Sequence, residues 1–217
     1  MPANAKLEFI AWAVKRKALL FGQYQTKAGR ISPYFFNAGV FHDGSSLRML
    51  TRFYAQTILA SGIGFDMLFG PAYKGIALAA GVAMALAELG RNVDYSYNRK
   101  EAKDHGEGGS VVGAPLAGRV LIVDDVISAG TSVRESVELI RRAQAQPCAV
   151  AIALDRMERG SGSVSAVQEV EEQYGMPVIS IATLDDLVAY LQADATLSSH
   201  LAALLRYREQ YGVAAHA

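Results

Sequence analysis

Two adjacent acids, Asp124 and Asp125, follow a short run of apolar, mostly β-branched residues. The residues after them include Ser128, Gly130 and Thr131, and a loop of this kind offers hydroxyls and accessible backbone N–H groups to an anion. Carboxylates beside a phosphate would repel it, but they would bind the hydroxyls of a sugar, or a metal bound to those hydroxyls. The pattern therefore indicates a ribose phosphate. The alternative is an Asp pair that ends a strand and a Ser/Thr pair that caps a helix.

Two further segments carry cations next to glycines. Residues 69–75 read Phe-Gly-Pro-Ala-Tyr-Lys-Gly, which predicts a tight turn bearing Lys74. A plain turn with a surface lysine explains this segment equally well. Residues 99–110 combine dense charge with three glycines, which predicts a mobile loop. Its cations could close over a leaving anion and exclude water, although composition alone also fits an ordinary solvated loop.

A fourth segment, residues 26–37, combines basic residues with the consecutive aromatics Tyr34, Phe35 and Phe36. Such a group could stack on a planar ring and pair with an acid. The alternative is a hydrophobic edge strand, which the aromatic residues alone do not reject. Arg156 follows a later apolar run and, taken by itself, would be an ordinary surface residue.

The elements that position these residues alternate between strand and helix. The apolar run 120–123 is typical of a strand that is covered on both faces. The helix predicted after it, over 131–143, begins with Ser132 and Glu135 at capping-box spacing. Acids, loop and helix N-terminus would then meet at the carboxyl end of a strand, where open α/β sheets bind ligands.

Periodicity predicts the remaining elements. Helices are expected over 8–20, 47–61, 75–89, 184–191 and 197–211, strands over 66–70, 93–97, 149–154 and 178–181, and short strands and turns over 23–42. This alternation predicts an α/β fold with a mostly parallel sheet and helices on both faces.

Composition limits the class of protein. The 217 residues are 51% hydrophobic, so the chain can form one domain with a substantial core. Lys+Arg and Asp+Glu both count 21, and this balance gives no support for nucleic-acid binding. The single cysteine, Cys148, lies beside an apolar run and is expected to be a buried, inert thiol. The longest uncharged apolar stretch, 75–87, is shorter than the roughly 20 residues of a membrane span. With no signal peptide recognisable, we expect a cytoplasmic protein.

The four segments resemble motifs of a known family. Residues 120–132 resemble the PRPP-binding motif of the type I phosphoribosyltransferases, with Ser128 where threonine is usual. Residues 99–108, Arg-Lys-x-x-Lys-Asp-His-Gly-x-Gly, resemble the catalytic loop of the orotate phosphoribosyltransferases specifically, and the bacterial dimeric enzymes look closest. Residues 27–35 resemble that family's Lys-Ser-Gly-Arg-x-Ser-Pro-Tyr-Phe element, with Ala28 replacing serine.

This resemblance implies a single type I phosphoribosyltransferase domain over 1–217, in which about 1–45 contribute a small hood. The implied activity transfers the ribose 5-phosphate of PRPP to orotate, giving orotidine 5′-monophosphate and pyrophosphate in de novo pyrimidine biosynthesis. It also implies Mg²⁺, held mainly through substrate and water with no firm protein ligand, and a homodimer whose loops reach across subunits. The implied catalytic residues are Lys103, His105, Asp124 and Asp125.

The resemblance also assigns residues to each substrate. For PRPP they are Lys27, Tyr73, Lys74, Arg99, Lys100, Lys103, His105, Asp124, Asp125, Val126, Ile127, Ser128, Ala129, Gly130, Thr131 and Ser132. For orotate they are Lys27, Phe35, Phe36, Ser128 and Arg156.

Three rival readings remain. A purine or uracil phosphoribosyltransferase would keep the fold, but the aromatic segment and the Lys-Asp-His loop argue against it. A PRPP-sensing regulator would keep the phosphate site without catalysis, yet the chain has no spare DNA-binding segment and retains the loop cations. A plain α/β binding module would require several motif matches to arise by coincidence.

Overall fold

A computed structural model describes residues 3–26, 29–103, 109–160 and 162–213. Strands β1 to β8 span, in order, Leu19–Gln25, Ile31–Phe36, Met67–Gly70, Asp94–Lys103, Gly109–Gly113, Arg119–Val123, Gln146–Asp155 and Val178–Thr183. Helices α1 to α7 span Ala3–Lys15, Gly44–Ala60, Lys74–Glu88, Thr131–Arg142, Ala166–Tyr174, Leu184–Ala193 and Ser198–Tyr211.

The central sheet has six strands in the order β5-β4-β3-β6-β7-β8. All neighbouring pairs are parallel except β4 and β5, which are antiparallel at one edge. The α/β fold with a mostly parallel sheet is therefore confirmed. Because β3, β6 and β7 are parallel neighbours, their carboxyl ends meet at one edge of the sheet.

Helices cover both faces of this sheet, and the side chains of the central strands alternate between them. Val120 and Ile122 on β6 pack into a core cluster with residues of α4 and α5. Leu121 and Val123 pack into a second cluster, to which α1, α2, α3, α6 and α7 contribute. The burial of β6 on both faces explains why its sequence is uniformly apolar.

The N-terminal segment forms a separate two-stranded antiparallel sheet from β1 and β2. Its buried face lies against the C-terminal helix, where the rings of Tyr34 on β2 and Tyr207 on α7 meet edge to face at 6.5 Å. This packing brings residues from both ends of the chain close to the end of β7.

Two predicted elements differ from those observed. The first helix ends at Lys15 instead of residue 20, since Lys17 adopts a left-handed backbone conformation and Leu19 begins β1. The predicted loop over 99–110 is wrong at both ends, because residues 99–103 extend β4 and residues 109–110 begin β5. These strands form a hairpin in which Asn98 pairs with Val111. Residues 104–108 of that loop lie outside the described residues.

Helix α5 was not predicted, although Ser165 and Gln168 form a capping box at its start. Within the described residues, the structure contains no helix long and apolar enough to cross a membrane.

Candidate functional site

Asp124 and Asp125 extend β6 at its carboxyl end. The Asp124 N–H donates to the Ala151 carbonyl at 3.0 Å, and the Asp125 carbonyl accepts from the Ala153 N–H at 2.9 Å. These two bonds continue the ladder between β6 and β7 past the end of β6. Both acids are buried and held in fixed backbone positions at the sheet edge.

The Asp124 carboxylate is satisfied by groups of the protein itself. Its Oδ1 accepts from the Asp125 N–H and its Oδ2 from the Ser132 hydroxyl, both at 2.8 Å. Its backbone carbonyl accepts a 2.7 Å hydrogen bond from the buried Tyr54 hydroxyl. Burial raises the pKa of Asp124 to about 6, because loss of solvation disfavours the charged form more than the Ser132 hydrogen bond favours it.

Asp125 instead pairs with a cation from the next strand end. The Lys74 Nζ lies 2.5 Å from Asp125 Oδ2. The lysine side chain is 56% exposed and the aspartate side chain 11%, so solvent and ligands have access to one side of the pair.

The turn that carries Lys74 runs directly beside the end of β6. A Cβ atom at Gly75 would lie 3.0 Å from the Val123 carbonyl oxygen and 2.6 Å from Pro71 Cδ, so only glycine fits there. The turn is fixed from the other side by Asn98, whose Oδ1 accepts from the Ala72 N–H at 2.6 Å. The predicted tight turn is confirmed, and Asn98 is a supporting residue that the sequence did not reveal.

The loop after the acids leads into an uncapped helix. Gly130 precedes α4 with a φ of 66°, a left-handed conformation that favours glycine. No side chain caps the helix, so the predicted capping box of Ser132 and Glu135 is wrong. The Ser132 hydroxyl is used by Asp124 instead. N–H groups in the first turn of α4 therefore remain available to an anion.

The remaining loop residues are accessible to different degrees. Ser128, Ala129 and Thr131 are exposed, whereas Val126 and Ile127 are half-buried. Ile127 packs against the core cluster beneath α4. The polar residues of the loop therefore face solvent while its apolar residues anchor it.

The predicted loop cations are only partly described. Arg99 and Lys100 lie on β4, and the Lys100 Nζ is 3.6 Å from Glu135 Oε2, which places this lysine beside α4. Lys103 is the last residue of β4, and only its backbone is described. Lys27 and His105 lie outside the described residues.

Arg156 follows β7 at the same sheet edge and is far from an ordinary surface residue. Its guanidinium lies 4.4 Å from the centre of the Tyr34 ring. Its Nη2 donates to the Ser32 hydroxyl at 3.0 Å and lies 2.6 Å from Glu158 Oε1. Sequence reasoning missed Glu158, because nothing near it in the chain signals the contact.

Phe35 and Phe36 do not share a face, since neighbouring strand residues point to opposite sides. Phe35 is 42% exposed and stacks on Tyr24 at 5.5 Å. Phe36 is half-buried, and the centre of its ring lies 6.4 Å from that of the core residue Phe9. The expectation that both contact one planar ring remains a prediction, and the exposed Phe35 is the better placed of the two.

The carboxyl ends of three neighbouring strands thus assemble one site. β3 leads to the Lys74 turn, β6 to the acid pair and the uncapped helix, and β7 to Arg156. In the described part of the chain, no group of three or more His, Cys, Asp or Glu side chains could hold a metal ion by itself. The carboxylate oxygens of Asp125 are nevertheless ligands of the type that Mg²⁺ prefers.

Comparison with known proteins gives consistent matches. Residues 39–182 match the family model described as the phosphoribosyl transferase domain. The chain is 67% identical to the orotate phosphoribosyltransferase of Chromobacterium violaceum, over 97% of this chain and 99% of the relative. It is 64% identical to that of Thiobacillus denitrificans, over 97% and 100%. The crystal structure of the Francisella tularensis enzyme superposes with a TM-score of 0.86 at 36% identity, covering 95% of this chain and 100% of the other.

Proposed function

The chain belongs to the orotate phosphoribosyltransferase family, and from this premise we propose that it transfers the ribose 5-phosphate of PRPP to orotate, releasing orotidine 5′-monophosphate and pyrophosphate. The observation that carries the proposal is the shared sheet edge. There an uncapped helix N-terminus, an Asp–Lys pair and a partly buried arginine lie at the ends of adjacent strands. These are groups for a phosphate, a sugar diphosphate and a carboxylate, respectively.

The 5′-phosphate would bind at the start of α4. Free N–H groups and the positive end of the helix dipole favour an anion there. The exposed hydroxyls of Ser128 and Thr131 add donors. We assign this phosphate to the loop residues Val126, Ile127, Ser128, Ala129, Gly130, Thr131 and Ser132.

The ribose and pyrophosphate would bind at the acid pair and the Lys74 turn. Lys74 would exchange its contact with Asp125 for a pyrophosphate oxygen, and the released Asp125 carboxylate would accept hydrogen bonds from ribose hydroxyls. Tyr73 precedes Lys74 at the start of α3, and its side chain is 74% exposed and would be accessible to PRPP. On substrate binding, Lys74 and Asp125 would therefore each exchange the other for polar groups of the substrate, and neither side chain would be left without a partner.

Mg²⁺ fits this arrangement through Asp125 and the oxygens of the substrate. It would neutralise charge that develops on the leaving pyrophosphate. Since Asp124 already has both oxygens bonded within the protein, Asp125 is the better placed of the two acids to contact the ion or its waters.

The reaction itself is a displacement at the anomeric carbon of PRPP by N1 of orotate, with inversion. No covalent intermediate on the protein is needed, so the side chains position both reactants and stabilise charge. Arg156 would hold the orotate carboxylate, Lys27 would lie near both substrates, and Phe35, with Phe36 and Ser128, would contact orotate.

The cations of the 99–110 segment would complete the site from a second subunit. Arg99, Lys100, Lys103 and His105 are the residues proposed to contact pyrophosphate, with Lys103 or His105 as proton donor. Large exposed apolar side chains on α2, α3 and β4, of which α3 packs against both others, support a face that a second copy covers. They are Met49, Met84 and Tyr95.

A cytoplasmic location agrees with the buried free thiol of Cys148.

The first test is the loss of orotate absorbance on mixing protein, orotate, PRPP and Mg²⁺. We expect a fall that requires both PRPP and Mg²⁺ and that releases pyrophosphate. Turnover with uracil or a purine base, but not with orotate, would overturn the assignment of the base. Tight PRPP binding without turnover of any base would point to a regulator.

A second test addresses the shared loop. Lys103→Ala should lower kcat about 10²- to 10⁴-fold, because a positioned proton donor contributes on that scale, while Lys15→Ala on α1 serves as the control. Mixing Lys103→Ala with Asp125→Asn protein should restore up to about a quarter of wild-type activity, since half of the randomly mixed dimers would carry one intact site. Verified mixed dimers without recovery would rule out loops that act across subunits.

A further inference from the structure

Glu158 lies at the centre of a hydrogen-bonded cluster beside Arg156. Its Oε1 is 2.6 Å from the arginine Nη2 and accepts a hydrogen bond from the Tyr34 hydroxyl at 3.2 Å. Its Oε2 accepts from the Tyr207 hydroxyl at 3.1 Å. These partners come from β2 and α7, so three distant parts of the chain converge on one carboxylate.

The cluster fixes the orientation of the Arg156 guanidinium. Its contacts with Ser32 and Glu158 are both made by Nη2, the Tyr207 hydroxyl also interacts with it, and the group is stacked against the Tyr34 ring. Arginine has five N–H donors in a planar fork. The hydrogen bonds to Ser32 and Glu158 use only the donors on Nη2. One edge of the fork is therefore held by the protein, and the other remains for a bidentate contact with a carboxylate.

The backbone that carries Glu158 is held by the end of the chain. The Arg159 N–H donates to the Tyr211 carbonyl, and the Val213 N–H donates to the Met157 carbonyl, both at 2.8 Å. Residues 157–159 are thus paired on both sides of Glu158 with the segment that ends α7. The C-terminal helix consequently supports the position of Glu158 through backbone as well as through Tyr207.

The surroundings of Glu158 also reduce a conflict with an anionic ligand. A bare carboxylate near the orotate carboxylate would repel it. Each oxygen of the Glu158 carboxylate accepts a hydrogen bond from a tyrosine hydroxyl, and Oε1 also contacts the guanidinium. These donors of the protein stabilise its negative charge. The pair is only partly exposed, at 23% for the arginine side chain and 13% for the glutamate.

We propose that Glu158 is a positioning residue for orotate: it locks the Arg156 fork so that its other edge meets the carboxylate, and Tyr207 of the C-terminal helix holds Glu158 in turn. The inference rests on the proposed function, specifically on Arg156 as the partner of the orotate carboxylate. It separates recognition of the base from binding of PRPP, because none of these contacts involves the acid pair or α4.

The test compares Michaelis constants for the two substrates. Glu158→Gln keeps the shape of the side chain but removes its charge, and it should raise the KM for orotate about tenfold by freeing the guanidinium to rotate. The KM for PRPP and kcat should stay within about twofold. Glu138→Gln is the matched control, because Glu138 forms an exposed ion pair with Arg142 on α4.

Two further variants keep the test decisive should Glu158→Gln fold poorly. Tyr207→Phe removes one hydroxyl and should raise the KM for orotate about threefold. Adding Glu158→Gln to Arg156→Ala should cause no further rise, because Glu158 acts only through the arginine.

The outcomes separate the two proposals. If Arg156→Ala leaves the KM for orotate unchanged, the assignment of Arg156 in the proposed function is wrong. If Arg156→Ala raises it but Glu158→Gln and Tyr207→Phe do not, only the role of Glu158 is overturned. Equal changes for both substrates, or additive effects in the double variant, would reduce Glu158 to a structural residue.

Discussion

The two ends of the proposed site hold their charges in different ways. At the phosphate end, the Asp125 carboxylate pairs with a lysine that is more than half exposed, and the helix after it has no side-chain cap. At the orotate end, Arg156 is enclosed by an aromatic ring, a hydroxyl and a carboxylate that is itself bound by two tyrosines. The first end can exchange partners, whereas the second is arranged before any ligand arrives.

This difference has consequences for how each end fails. Exchange of partners makes the phosphate end sensitive to the removal or protonation of one charge, because the released partner is then uncompensated. Pre-arrangement makes the orotate end sensitive to loss of orientation, which changes affinity for one substrate. Substitutions at the two ends should therefore be distinguishable by the kinetic constant that they change.

Asp125→Asn should produce the largest effect. It removes both the partner of Lys74 and the acceptor proposed for the ribose hydroxyls, and charge-assisted hydrogen bonds of this kind are worth about 1.5–3 kcal/mol each. We expect kcat/KM for PRPP to fall about 100-fold or more in steady-state assays. Asp94→Asn, at the exposed start of β4, is the control. A comparable loss of orotate affinity measured without PRPP would contradict the separation of the two ends.

Asp124→Asn should change the pH dependence of stability. Burial raises the pKa of Asp124 from 3.8 to about 6, so the folded protein binds this proton more tightly than the unfolded chain does. The stability contributed by the protonated group is fully present below pH 4 and is lost as the pH rises through 6. At about 1.36 kcal/mol for each pH unit, the loss is about 3 kcal/mol by pH 7.5.

Urea unfolding at pH 4.5 and pH 7.5 should detect about 2 kcal/mol of this loss, because about a third of it has already occurred by pH 4.5. The unfolding free energy of the wild type should fall more than that of Asp124→Asn as the pH rises from 4.5 to 7.5. In steady-state assays, the variant should also show a lower kcat/KM for PRPP. Asp194→Asn is a control that should leave the pH profile unchanged in this range. Hydrogen bonds from Thr196 lower the pKa of Asp194, so the stability that this residue contributes is lost only as the pH falls below 3.8. Parallel pH profiles for the wild type and Asp124→Asn would refute the prediction.

The same contrast explains what could be predicted from the sequence. The phosphate end is built from two contiguous segments, the turn in 69–75 and residues 120–132, and in the second of these strand, acids, loop and helix follow one another. Local patterns record such an arrangement, and the strand, helix and tight turn were predicted correctly. The orotate end combines Ser32, Arg156, Glu158 and Tyr207, which lie far apart in the chain. Only the packing of α7 on β2 brings them together, so no local pattern identifies Glu158 or Tyr207.

Capping residues show why even a local signal can mislead. Ser132 with Glu135 and Ser165 with Gln168 have the same spacing, yet only the second pair forms a capping box. The first serine lies inside α4, which begins at Thr131 after Gly130, so it is not at the capping position, and its hydroxyl donates to Asp124. The residue at which the helix begins therefore decides whether a serine at this spacing caps it. The β4–β5 hairpin was missed for a related reason, since its charged and glycine-rich sequence is tolerated at a sheet edge.

Tyr54→Phe should have the smallest effect and therefore gives the finest test of the comparison. The Tyr54 hydroxyl is buried and donates to the Asp124 carbonyl. Its removal leaves that carbonyl without this donor, and loss of the hydrogen bond costs about 1 kcal/mol. We expect a lower unfolding free energy of about that size and a small rise in the KM for PRPP, with the KM for orotate unchanged. Tyr190→Phe is the control, because the Tyr190 hydroxyl makes no hydrogen bond to a described residue. A rise in the KM for orotate alone would mean that the acid pair and the base pocket are coupled through α2. The two ends could not then be treated as independent.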